Sequence, residues 1–166
     1  MVYKANMSLS KDELQKLIQL EFADVQRPAE TNIAVGTCAH QCYEEAFEAF
    51  QSVDPSDLSA MEDLSEHTSF LTKDAFHFVF PLMMLATFID SDSPTMIFNS
   101  IHVLALLTHN PSELEEMFGN FSQGQRYAMK EYLNYVLEQD AQMMMSQKAM
   151  DKRVSFWEEF GRKPPQ

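Results

Sequence analysis

Five times along this chain a small polar residue stands where a helix would begin. Ser10 is followed by Glu13, Asn110 by Pro111 and Glu113, and Ser122 by Gln125. Thr72 precedes a long apolar run, and Ser93 precedes Pro94. Side chains of this kind accept from the N–H groups that a helix start leaves without partners. Pro suits the first helical position because its missing N–H is not needed there. Starts that recur this often leave little chain for any other architecture.

The stretches between these starts are amphipathic at helical spacing. Leu14, Leu17, Ile18, Phe22 and Val25 form one stripe, which Arg27-Pro28 is predicted to end. A second helix is predicted over Asn32 to Gln51, with Cys38, Cys42, Ala46, Phe47 and Phe50 on one face. Leu58, Met61 and Leu64 suggest a short helix. After Thr72, Phe76, Val79, Phe80, Met83 and Phe88 cover most of a helix circumference, as expected of a central helix. Pro81 lies inside it and should kink or interrupt it. Ile97, Ile101, Leu104 and Leu107 line a further helix. Met129, Tyr132, Leu133, Val136 and Leu137 line a long one, predicted to continue through Met143 to Met145. Only four glycines are present, too few for the tight turns of a β-rich fold. The expected fold is all-α: a compact single-domain bundle of about six or seven helices over residues 10–160. Residues 1–9 and 161–166 are expected to be flexible ends.

Charge divides the chain. Residues 1–120 carry 5 bases and 19 acids, and residues 121–166 carry 7 bases and 6 acids. Between Pro28 and Thr72 there is no Lys or Arg, while nine acids fall there. Direct nucleic-acid binding is disfavoured, because phosphate contacts need a basic stripe. An acidic surface attracts basic partners instead. The candidate contact surface is Glu44, Glu45, Glu48, Asp54, Asp57, Glu62, Asp63 and Glu66. Acidity of this kind also serves solubility alone.

Other chemistry is thinly represented. Cys38-Ala39-His40-Gln41-Cys42 holds metal-ligand types. On a helix, however, His40 lies about 200° around from Cys38, so the three cannot converge on one ion. Both cysteines are read as buried structural thiols. Gly119 and Gly124 have the spacing of a phosphate loop, but Gln125 and Arg126 replace its Lys and hydroxyl. That segment is read instead as a connection, with Gly119 closing one helix and Ser122 opening the next. His77 stands among Phe76, Phe78 and Phe80 and is expected to be a core histidine. No catalytic residue, cofactor site or metal site is assigned. No secretory leader is recognised, and the longest apolar stretch, Phe78 to Ile89, is well short of the ~20 residues that span a bilayer. A cytoplasmic protein is expected, with no membrane contact.

Two motifs carry a resemblance. Leu71-Thr72-Lys73-Asp74-Ala75-Phe76 leads into the helix with Pro81, and Ser122-Gln123-Gly124-Gln125-Arg126 opens a later one. In that order they resemble a family of small, uncharacterised bacterial helical proteins. Its members have a Leu-Thr-x-acid-Ala-Phe motif and a Ser-x-x-Gln-Arg helix start. The resemblance implies a bacterial helical protein and brings no catalytic residues. The expected function is a small acidic protein-interaction module for a basic protein partner, such as an immunity-type or inhibitory protein. The competing expectation is an enzyme or small-ligand-binding protein with a pocket between helices near Pro81.

Overall fold

Ser10, Thr72, Asn110 and Ser122 cap helices as their spacing predicts. The computed structural model describes residues 9–34, 41–58, 61–89, 94–139 and 147–165. Among these lie eight α-helices: α1 (Lys11–Glu21), α2 (Gln41–Gln51), α3 (Met61–Ser65), α4 (Lys73–Ala86), α5 (Pro94–Leu107), α6 (Pro111–Phe118), α7 (Gln123–Gln139) and α8 (Gln147–Phe160). The fold is all-α; the described residues contain isolated bridges and no named strand. Reciprocal boxes open three helices. Ser10 Oγ accepts from Glu13 N at 3.4 Å while Glu13 Oε2 accepts from Ser10 N at 2.9 Å. Asn110 and Glu113 exchange the same pair at 3.1 and 3.3 Å, and Ser122 and Gln125 at 3.1 and 2.9 Å. Ser93 and Met143 to Met145 fall outside the described residues.

The described chain forms two compact units, Met1–Ala23 with Leu104–Gln166, and Asp24–Val103. In the first, α1 packs against α7, and α7 against α8. Leu14 and Ile18 of α1 are fully buried, as are Ala128, Met129, Tyr132 and Leu133 of α7. Rings run through this core: Phe22 meets Phe121 edge-on, Phe121 meets Phe118, and Phe118 lies 6.1 Å from Trp157. Glycine has a specific use at Gly161, which follows α8. A Cβ there would lie 2.7 Å from Lys130 Cβ and 2.8 Å from the Arg126 carbonyl oxygen, so the end of α8 seats closely on α7.

In the second unit α2 packs on α3, and α3 on α4. The buried face of α2 is Ala46, Ala49 and Phe50, continued by Val53 after the helix. This is an i, i+3, i+4, i+7 pattern. It is rotated from the predicted face, leaving Phe47 half-buried and Cys42 exposed. Met61 and Leu64 of the short helix α3 are buried, whereas Leu58 precedes it and is half-buried. Helix α4 is one continuous element through Pro81, so the chain is not interrupted there. Pro81 cannot donate to the His77 carbonyl, but Val79, Phe80, Met83 and Met84 around it are fully buried. Packing of this face holds the helix across the missing rung. Among the described side chains of α5, Val103 is buried in this unit and Leu104 and Leu107 in the first, whereas Ile101 is 47% exposed.

Two sequence boundaries need correcting. Helix α1 stops at Glu21 with Phe22 as its cap, well before Arg27-Pro28. Asn32 to Ala34 do not start α2: a single 3-10 turn over Glu30–Asn32 leads into an extended contact. There Thr72 N donates to Ile33 O at 2.9 Å, and Ala34 bridges to Leu71. The backbone of this segment is satisfied by the residues before α4 rather than by a helix of its own.

Candidate functional site

The eight acidic candidates all belong to the unit Asp24–Val103. That unit holds two bases, Arg27 and Lys73, against thirteen acids; the other holds ten bases against twelve. Nearly all the surplus of the chain is therefore in one unit. Glu44 and Glu48 stand one helical turn apart on α2 and are exposed, whereas Glu45 is half-buried. Glu66 is exposed just after α3. Glu62 and Asp63 lie in α3, and their side chains are not among those described.

Asp54 and Asp57 occupy one tight turn after α2, where Asp57 N donates to Asp54 O at 3.0 Å. Asp54 Oδ1 accepts from the Ser56 hydroxyl at 2.7 Å and the Ser56 amide at 2.8 Å. These bonds, the hydroxyl first, hold the Asp54 carboxyl below the usual carboxylate range; the Arg27 charge adds a smaller effect. Asp54 is thus fixed in orientation and in charge. Glu44 and Glu48 are fixed only by their helix.

Among the described residues Arg27 forms no ion pair with these acids, and nothing in its sequence context marks where it goes. It is the last base before the base-free stretch, yet it is turned onto carbonyl oxygens. One nitrogen of its guanidinium donates to Val53 O at 2.7 Å; the other donates to Phe50 O at 2.9 Å and Gln51 O at 3.5 Å. The same group stacks over the Phe50 ring at 4.8 Å and lies 5.7 Å from the Phe78 ring. It therefore caps the negative end of α2. Among the described residues no ion pair engages Glu44, Glu48 or Glu66.

Both motifs have structural work in their own units. Thr72 Oγ1 accepts from Ala75 N at 3.1 Å and donates to Asn32 O at 2.8 Å. Asp74 Oδ2 accepts from Asn32 Nδ2 at 2.6 Å. This motif ties the Asn32 segment to the start of α4. In the other motif Gln125 is buried in its capping box. The Arg126 guanidinium donates to Gly119 O at 3.2 Å and stacks over Phe160 at 4.7 Å. Gly119 closes α6, as read from the sequence, and the Glu21 carboxylate lies against Gly124.

Chemically reactive types are dispersed. Cys42 is an exposed free thiol, not the buried one expected; Cys38 and His40 lie outside the described residues. Thr68 Oγ1 sits 3.1 Å from His102 Nε2 and donates to Ser65 O at 3.4 Å. Thr68 and Ser65 are buried, so this is a contact of the unit's interior. His77 is half-buried. Among the described residues no group of three or more His, Cys, Asp or Glu is placed to hold a metal ion. No described helix is long and apolar enough to cross a membrane.

Fold and surface together define an all-α protein with one strongly acidic helical unit. The chain belongs to the family of unknown function DUF6714, whose match spans residues 10–160. No curated protein and no solved structure gives a significant match.

Proposed function

We propose that this chain is a non-enzymatic interaction module of the bacterial cytoplasm. It binds a basic protein surface through the acidic unit Asp24–Val103. The observation that carries this reading is the arrangement around Arg27. The unit holds thirteen acids and two bases, and one of those bases is spent on backbone carbonyls. Glu44, Glu48, Asp54 and Glu66 are left exposed. Such a surface steers and holds a cationic partner, with a strength that falls as salt rises. One concrete form is an immunity-type or inhibitory protein that covers the basic site of a nuclease.

The test is a pull-down from the native host at low and high salt, with the wild-type chain and a variant carrying Glu44→Gln, Glu48→Gln and Glu66→Gln. A partner with a basic surface, lost at high salt and lost from the variant, is expected. Recovery of the same partner by both chains at both salts would sink the electrostatic reading.

A further inference from the structure

We draw no further inference here: the strongest candidate, the Arg126 side chain in the first turn of α7, whose buried Nε has no hydrogen-bond partner among the described residues, is only half-buried and already engaged with the Gly119 carbonyl and the Phe160 ring, and beyond the helix start itself nothing at that place points to a ligand.

Discussion

The indole nitrogen of Trp157 donates a buried 2.8 Å hydrogen bond to the carbonyl oxygen of Leu107, 50 residues earlier in the chain. Leu107 is the last residue of α5, where carbonyls run out of helical donors. One turn away on α8, Arg153 Nε donates to the next carbonyl, Thr108 O, at 2.9 Å. Side chains of α8 thus finish the end of α5. Trp157→Phe keeps an aromatic ring but removes the donor. It should lower stability by about 1–3 kcal/mol, the cost of leaving a buried acceptor unpaired, as read by urea unfolding followed by circular dichroism. Trp157 is the only Trp and 1% exposed. Native fluorescence should therefore be blue-shifted and poorly quenched by acrylamide, and both properties should vanish on unfolding.

Gly161→Ala tests the seat of α8 on α7. The new methyl would press on Lys130 Cβ and the Arg126 carbonyl, and overpacking of this kind costs about 1–3 kcal/mol. A lowered thermal midpoint is expected. An unchanged midpoint would mean that the end of α8 can lift without loss.

Thr72→Val removes a hydroxyl while keeping a similar shape. It abolishes the cap on Ala75 N and the bond to Asn32 O together. Loss of a cap costs about 0.5–2 kcal/mol, and Thr72→Ser should recover most of it. Equal stability of the Val and Ser variants in chemical denaturation would contradict the role assigned to the hydroxyl.

These positions differ in how readily the sequence reveals them. Ser10, Thr72, Asn110 and Ser122 act within three residues of themselves, so their spacing alone predicts each cap. The Leu-Thr-x-Asp motif is half legible: its cap is local, but its grip on Asn32 joins residues 40 apart. Asn32 to Ala34 read as helical because nothing nearby forbids it; a distant partner decides otherwise. Arg27 is illegible for the same reason, since its acceptors lie 23 to 26 residues away. Cys42 reads as buried because both faces of α2 carry small or apolar residues; burial of Ala49 and Val53 instead turns it outward. The acidity of the candidate surface is plain in composition. That Arg27 is bound to carbonyls instead of pairing with it shows only in the direction in which Arg27 points.

The Asp54 carboxyl should titrate below ordinary aspartates, since the folded state favours its charged form. Its contribution to stability is present above the unfolded value and is lost as pH falls through the folded one. Carbon-detected NMR titration reads this directly. Ser56→Ala, which removes the largest cause, should bring the Asp54 titration back up; no movement would refute the assignment.

Replacing Glu44 and Glu48 by Gln should leave the fold intact. These like charges one turn apart repel each other, so the double variant should be at least as stable as the wild type at low salt. The difference should shrink as salt screens the repulsion. Marked destabilisation in urea unfolding would show that the pair supports the fold rather than standing free.

The segment Asp24–Ala34 is fastened at two places, at Arg27 to the end of α2 and at Asn32 and Ile33 to the start of α4. It precedes in the chain both elements it holds. During synthesis it is made before them: Arg27 lacks its acceptors until residue 53 is made, and Asn32 and Ile33 lack theirs until residues 72 to 74 are made. The two fastenings of the acidic unit therefore each wait on residues made later in the chain. Its first segment must stay open until the helices that lock it have followed, which makes completion of this unit an event timed by length of chain rather than by local helix formation.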